Sequence, residues 1–492
     1  MNIILQNYEN LINNLIKDYF TNKIERIISN FNCFDINNYI DLISNLDNFM
    51  NHFICNSLKY IIEEMDKTYC NSIERKRKYH IKYKTKRTIL TIFGEITYYR
   101  YFYKSKLNGK CFCYVDRTLG LQKYDYFDPY IKSEVLDYVS DNNYSQTANH
   151  INSLIGNRIS LDKKETIMKR QTVRNIILKS KLSNPEVKKL KPVDEIYIIA
   201  DEKWIPTQNN NRKKVMQKSI VIFDGFIKNG KRKSLSNKIT FSGRNENFIY
   251  DAIEYIEKAY DTKYIKRLYL MGDGANWIDY LRCYFNINDN IEIIQGLDHF
   301  HFKQCIWRLY PDKEVYNELI KYIKTNNKDD FDRLTNEIID LNTERTDKLE
   351  EYKSYILKHW KNIINIYKYN LSCPMESQIS HTFASYFTSR PKAYNKKMIN
   401  ILIKLRLLNK NNYNIKKLFL NNLNKKETIT INQPIINYSI FDNKETISVL
   451  INKLERKLAI KKDWYNSIFY KQKLYLKIPK TLYTNLIYDV VN

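Results

Sequence analysis

Five short β-forming runs lie between residues 196 and 294, and they constrain the fold more than anything else in the chain. They are Ile196-Tyr197-Ile198-Ile199-Ala200, Ile220-Val221-Ile222-Phe223, Lys238-Ile239-Thr240-Phe241, Leu268-Tyr269-Leu270-Met271 and Ile291-Glu292-Ile293-Ile294. Most lack the polar alternation of a half-exposed strand, so they suit a sheet covered on both faces. Between the third and fourth runs, Phe248 to Tyr260 places Ile249, Ala252, Ile253, Ile256 and Ala259 on one helical face. A second helix is expected around Trp277 to Phe285, before the fifth run.

Three close strands, a helix, a strand, a helix and a strand is the order of a ribonuclease-H-like α/β core. The expected organisation follows from it. Residues 1–73 form a helical N-terminal region, with Ile12, Leu15, Ile16, Tyr19 and Phe20 at helical spacing. Residues 74–125 form a basic β-hairpin region, and 126–192 a helix-turn-helix-like region and linker marked by Pro185 and Pro192. The core occupies 193–302, a helical insertion 303–370, and a further core segment 371–410. The tail, 411–492, mixes strand-like pieces with a helix near 445–460 and has no assigned role.

Glycine placement is informative because the chain has only 10 among 492 residues. Two of them, Gly272 and Gly274, bracket Asp273 just after the fourth run. Asp201 follows the first run in the same way, and Asp298 follows the fifth after Gly296 and Leu297. Ligands bind at the carboxyl ends of strands in an α/β sheet. If the first and fourth strands are neighbours, Asp201 and Asp273 are close enough to hold divalent ions. Carboxylate and water ligands favour Mg²⁺ or Mn²⁺, and a pair of such ions suits phosphodiester chemistry. The competing explanation is that Asp after a strand caps the next helix, and Glu202 rivals Asp201. A third carboxylate should come from a later helix. Glu376, behind Pro374, is the best placed, although chain physics alone does not separate it from the many acids of 312–351. In Asp298-His299-Phe300-His301 a supporting hydrogen-bond role is preferred over zinc, since no fourth ligand is evident.

The charge points to a polyanion. Lys and Arg number 81 against 54 Asp and Glu, a net +27, which favours nucleic acid over a membrane surface. A/T-rich codon usage would also raise the Lys count. The surplus is densest in 74–110, with twelve basic residues, two acids and six Tyr. There Thr88–Phe93 and Ile96–Tyr99 read as a hairpin turning at Gly94. Arg75, Lys76, Arg77, Lys78, Lys82, Lys84, Lys86 and Arg87 are the expected phosphate contacts, with exposed aromatics for stacking. A solvated edge hairpin guarded by Lys is the plainer alternative. Downstream, Tyr144–Ala148 opens one helix. Ile159-Ser160 and then Arg170, Gln171, Thr172 and Arg174 open the next, in a pattern resembling helix-turn-helix.

The 8 cysteines form no CxxC pair, so zinc-ribbon and thioredoxin spacings are excluded. Cys111 and Cys113 would share a strand face, where two buried thiols are expected rather than a metal site. Reduced thiols fit a cytosolic setting. No run reaches the length of a membrane span, and the first residues are too briefly apolar for a signal peptide.

Several blocks together resemble a known family. Ile199-Ala200-Asp201-Glu202, Gly272-Asp273-Gly274-Ala275-Asn276-Trp277-Ile278, Leu297-Asp298-His299-Phe300-His301, and Glu376 to His381 followed by Ser389-Arg390-Pro391 resemble the bacterial insertion-sequence transposases of the ISLre type, related to Mutator-like transposases. The resemblance spans nearly the whole chain and is densest from 196 to 406. It implies a ribonuclease-H-like fold with a DDE triad of Asp201, Asp273 and Glu376 that uses two Mg²⁺ or Mn²⁺ ions. It implies support from Asp298, His301, Gly272, Gly274 and Trp277. Asp298-x-x-His301 matches the family's Asp/Cys-x-x-His element. Where such proteins often carry Asp-Glu-Asp-His, this chain has Asp201-Glu202-Lys203-Trp204. The implied partners are terminal inverted repeats and target DNA, bound by a homo-oligomer that is cytoplasmic and nucleoid-associated, with no membrane. The alternatives are an inactive or repurposed DNA-binding derivative and a metal-dependent nuclease without strand transfer.

Overall fold

The computed structural model describes residues 36–156, 167–208, 214–230, 232–287, 290–388 and 393–431, together with Asn13. Its strands are β1 (Tyr79–Thr91), β2 (Gly94–Ser105), β3 (Cys111–Cys113), β4 (Glu195–Pro206), β5 (Lys214–Phe223), β6 (Phe226–Asn229), β7 (Arg232–Leu235), β8 (Ile239–Gly243), β9 (Arg267–Gly272) and β10 (Glu292–Leu297). The main helices are α1 (Ile36–Asn71), α2 (Pro129–Tyr138), α3 (Tyr144–Ile155), α4 (Arg170–Lys179), α5 (Asn247–Ala259), α6 (His299–Leu309), α7 (Lys313–Lys324), α8 (Lys328–Asp340), α9 (Thr346–Lys358), α10 (Trp360–Lys368), α11 (Met375–Ile379), α12 (Lys396–Lys410) and α13 (Ile415–Ile431). The chain divides into two compact units. One takes the described parts of Met1–Glu186, Lys203–Gln217 and Ile379–Gln433; the other takes Val187–Glu202 and Lys218–Gln378. The boundary after Gln378 falls inside the stretch 371–410.

In the first unit the hairpin is longer than its apolar segments suggest. Its register runs from Tyr79↔Ser105 to Thr91↔Gly94. Helix α1 seals the strand edge that β1 leaves open. Glu63 accepts the Tyr99 amide at 2.9 Å, and Asp66 accepts the Tyr101 amide at 2.6 Å and the Tyr103 hydroxyl at 3.0 Å. Ile62, Ile89, Ile96, Tyr98 and Val115 form the core beneath. Helix α3 begins with a reciprocal cap between Asn143 and Gln146. The Asn152 side chain holds Met168 through both backbone groups, at 3.0 and 2.8 Å, which fixes the approach to α4. Ile159-Ser160 lies outside the described residues. The start of the tail is helical rather than strand-like: Lys416 of α13 pairs with Glu134 of α2 at 2.5 Å, and Ser183 donates to the Leu418 carbonyl at 3.0 Å. The N-terminal positions Ile12 to Phe20 and the helix expected near 445–460 lie outside the described residues.

The second unit holds a five-stranded sheet in the order β10-β9-β4-β5-β8. Strands β4, β9 and β10 are parallel, and β5 is antiparallel to β8. All five expected strands are present. Three details differ from the sequence reading. Strand β4 does not end at Asp201 but continues to Pro206, alongside its hydrogen-bonded neighbour β5. The basic connection 228–238 carries a small hairpin, with Ile227 opposite Ser234. The helix expected across Trp277–Phe285 is two short turns, Asn276–Asp279 and Leu281–Tyr284. Helix α5 buries Phe248, Ile249, Ala252, Ile253, Ile256 and Ala259, the stripe its spacing predicts. Helices α6 to α10 fill the expected insertion, and Asn365 of α10 donates to the Gln295 carbonyl of β10 at 2.8 Å.

Candidate active site

Parallel register brings Asp201 and Asp273 level. The last paired residues of β4 and β9 are Ile199 and Met271, and each aspartate stands two residues further on. A Cβ on Gly272 would lie 2.8 Å from the Ala200 carbonyl oxygen and 2.7 Å from Ile278 Cδ1. Only glycine permits that approach. Gly274 has φ +82°, a left-handed backbone, and it turns the chain away immediately after Asp273. The two glycines therefore serve the same aspartate for different reasons.

Each carboxylate has a defined local role. Asp273 Oδ1 accepts the Ala275 amide at 3.0 Å, a turn that shapes the loop; the short helix after it is not capped by a side chain. Asp201 Oδ1 accepts the Glu202 amide at 2.6 Å. Burial is the first cause that raises the Asp201 pKa from 3.8 to about 6, and the negative charge of Asp273 adds to it. Glu202, the rival that sequence alone left open, is engaged by Trp277, whose indole N–H donates to its Oε2 at 2.9 Å. The Lys218 ammonium sits over the same indole, 5.0 Å from the ring centroid. Trp277 thus ties the loop after Asp273 to the residue after Asp201.

Asp298, only 7% exposed, supports this edge from β10. Its amide donates to the Gly272 carbonyl at 2.7 Å, its side chain caps α6, and its Oδ2 is 2.8 Å from His301 Nδ1. Its hydrogen bond raises the pKa of His301, and the charges of Asp273 and Asp201 act in the same direction. His299 is turned elsewhere, against Phe302 and Tyr367, so the two histidines do not form a zinc pair. Burial lowers the His299 pKa.

Glu376 is exposed, in the first turn of α11. The structure does not draw it into the pair: among the described residues, no three His, Cys, Asp or Glu side chains converge as a metal site. The two aspartates alone fit a hard divalent ion, since Mg²⁺ is commonly held by one or two carboxylates plus waters and substrate phosphates. Cys373, three residues before Glu376, is closer to the acids. Burial raises its pKa, and the charges of Asp298, Asp201 and Asp273 all act on it. Ser389-Arg390-Pro391 lies outside the described residues.

Two further neighbours come from the insertion. The Tyr355 hydroxyl donates to the Asp273 carbonyl at 2.6 Å. His359, 3% exposed, packs where a Gly274 side chain would be, with Nε2 only 2.8 Å from that ideal Cβ. Both lie one turn apart on or just beyond α9, but nothing in their spacing distinguishes them from ordinary helix-face residues. Cys373 likewise carried no sequence signal.

The expected nucleic-acid surface is partly corrected. Lys76, Arg77, Lys78, Lys82, Lys84 and Lys86 are exposed, and the Lys84 ammonium lies over the rings of Tyr99 and Tyr101 at 5.3 and 5.4 Å. Arg75 is half-buried, and its Nε donates to the Cys70 carbonyl at 2.6 Å. Arg87 is buried and structural. It pairs with Asp116 at 2.7 Å and donates to the Gln122 and Asp125 carbonyls at 2.9 Å. Tyr98 and Tyr103 are core residues, whereas Tyr83 and Tyr99 are exposed. On α4, Arg170 and Gln171 are exposed and Thr172 and Arg174 half-buried. Cys111 is exposed but Cys113 is buried, its pKa raised to about 11 by burial, so they are not a paired site. Arg87→Ala should therefore cost about 1–3 kcal/mol of stability, measured by denaturant unfolding, because Asp116 keeps its pair with Arg100 while the Gln122 and Asp125 carbonyls lose their donor. Lys84→Ala should leave stability unchanged, and weaker binding of a labelled duplex is the expected result if this face carries the nucleic-acid contacts read from the sequence.

A family model described as an uncharacterised protein family, UPF0236, matches residues 33–422. The UPF0236 protein TTE2489 of Caldanaerobacter subterraneus subsp. tengcongensis is 26% identical over 389 residues, 76% of this chain and 79% of the relative. A second UPF0236 protein of that organism, under one name spanning eleven loci from TTE0033 to TTE2212, is 25% identical over 389 residues, covering 76% of this chain and 78% of the relative. That genome thus holds many paralogues. No helix among the described residues is long and apolar enough to cross a membrane.

Proposed function

Because the chain belongs to the uncharacterised family UPF0236, its activity has to be read from its own residues, and we propose that it is a DDE transposase of the ISLre type. The reaction is hydrolysis of a phosphodiester at the element's end, which frees a 3′-hydroxyl, followed by attack of that hydroxyl on target DNA. The observation that carries this reading is the Asp201–Asp273 pair, level on adjacent parallel strands, with Asp201 raised to about 6 by burial first and by the charge of Asp273 in addition. The strand order β10-β9-β4-β5-β8 supports a ribonuclease-H-like core. One protein name spread over eleven loci of a single genome supports an element that copies itself.

Asp201 and Asp273 hold divalent Mg²⁺ or Mn²⁺, with two ions as the full complement. Such ions, when bound, stabilise the charge that develops on attacking and leaving oxygens. Glu376, exposed on α11, is the third acid of the proposal on the family resemblance alone. Asp298 keeps the imidazole of His301 oriented, and Glu202 keeps Trp277 against the loop that bears Asp273. The basic hairpin and α4 contact terminal inverted repeats, and the protein works on DNA as a homo-oligomer, in the cytoplasm and associated with the nucleoid. A cell-based assay tests the whole reading. A marker flanked by the DNA that borders this gene, supplied with the protein, should appear at new sites joined at defined ends. Cut DNA without any joined ends would make the protein a nuclease instead.

A further inference from the structure

At the turn between β8 and α5, one edge of a guanidinium is turned away from water without a partner among the described residues. Arg244 follows Gly243, the last residue of β8, and is half-buried. Its Nε and Nη2 atoms are both buried and make no hydrogen bond among the described residues. Burial lowers its pKa. Among the described residues no carboxylate pairs with it. Glu246, two residues on, is turned toward the Tyr284 hydroxyl. A buried cation without a counter-charge is costly, and an arginine cannot escape the cost by losing its proton.

The identity of the two orphaned atoms is informative. Nε–H and the Nη2–H beside it form one edge of the guanidinium plane, the edge that grips two oxygens of a single anion side-on. The same turn begins α5, a helix of 13 residues whose start no side chain caps. Backbone N–H groups and the helix dipole there favour negative charge.

The location links this turn to the aspartates. Gly243 is the register partner of Lys218, whose ammonium lies over the Trp277 ring. Phe248 of α5 meets Trp277 edge-on at 6.5 Å, and Trp277 donates to Glu202, next to Asp201. The β8–α5 turn therefore stands on the same sheet edge as the carboxylate pair, on the far side of Trp277.

We propose that Arg244, at the start of α5, is a phosphate-gripping site that holds a backbone phosphate of the DNA engaged by the Asp201–Asp273 edge. This rests on the DNA-processing reading above and adds a contact to it. The site anchors the strand away from the reacting phosphodiester and does not take part in the bond changes.

The test is binding of a fluorescent duplex oligonucleotide to the full chain in chelator, so that no reaction is required. Wild type, Arg244→Lys and Arg244→Ala are compared by anisotropy across salt concentrations, with thermal unfolding of each. Both variants should bind roughly tenfold or more weakly, since Lys cannot reproduce a bidentate grip, and Arg244→Ala should flatten the salt slope by about one. Its melting temperature should hold or rise, because an unpaired buried charge is gone. A structural arginine would show the opposite: unchanged DNA affinity and a lower melting temperature, which overturns the proposal. Inorganic phosphate provides the second arm. If it stabilises wild type but not Arg244→Ala while DNA affinity is equal, the site takes a free anion and the DNA assignment is wrong. Loss of binding in Arg244→Ala, together with absence of joined DNA from wild type, would leave this site standing and remove the transposase reading. Equal DNA binding with joined products would do the reverse.

Discussion

Asp201→Asn and Asp273→Asn are each expected to lower DNA joining by at least about a thousandfold, the equivalent of several kcal/mol of lost charge stabilisation at the ion. Neither change should destabilise the metal-free protein at neutral pH, which distinguishes a working site from a structural one. Asp201 titrates near 6 in the folded chain against an ordinary 3.8. A carboxyl raised in this way binds its proton more tightly when folded. Its ionisation therefore opposes folding above about pH 6, and the penalty fades as the pH falls through 6 and is gone near 3.8. The interval corresponds to at most about 3 kcal/mol. Asparagine removes the charge and with it the penalty, so Asp201→Asn should melt at or above wild type at pH 7 and converge with it at pH 4. Added Mg²⁺ should stabilise wild type at pH 7 and lose that effect in both variants. If the variants unfold more easily and Mg²⁺ changes nothing, the two aspartates only shape their loops.

The second large effect is expected from Gly272→Ala. The added carbon would press on the Ala200 carbonyl at 2.8 Å and on Ile278 at 2.7 Å. The carbonyl is backbone in the centre of a sheet and has little room to give. Overpacking of this kind costs about 1–3 kcal/mol, which denaturant unfolding would measure. Activity should fall further than stability. Any relief moves β9 away from β4 and separates Asp201 from Asp273, and a displacement of about 1 Å can cost about a hundredfold in rate. Normal activity in a folded Gly272→Ala protein would mean that the spacing of the pair does not matter.

Much of this was legible in the residues. The five strands announced themselves as apolar runs, and a chain with so few glycines marked Asp273 by placing two around it. The α5 stripe at Ile249, Ala252, Ile253 and Ile256 also appeared as spaced. What was illegible depended on contacts between distant segments. Arg87 sits in a run of basic residues that reads as solvated, yet its guanidinium is buried because Asp116 and two carbonyls reach it from a later turn. Tyr98 and Tyr103 stand five residues apart on β2, a spacing that strand alternation alone would send to opposite faces, yet both are buried. Asp201 looked like a strand end because the apolar run stops there, but pairing with β5 carries the strand on to Pro206. Tyr355 and Cys373 touch the site from about 80 and 100 residues downstream of Asp273, where no local pattern marks them.

Metal-dependent joining of DNA by the Asp201–Asp273 edge has a direct biochemical readout. Purified protein is incubated with a labelled duplex ending in the inverted repeat that borders its gene, a supercoiled target plasmid and Mg²⁺. The expected product is labelled plasmid whose label is covalently joined through the repeat's 3′ end, absent in chelator and absent with Asp273→Asn. Joined product that persists in chelator, or that Asp273→Asn still forms, would contradict it.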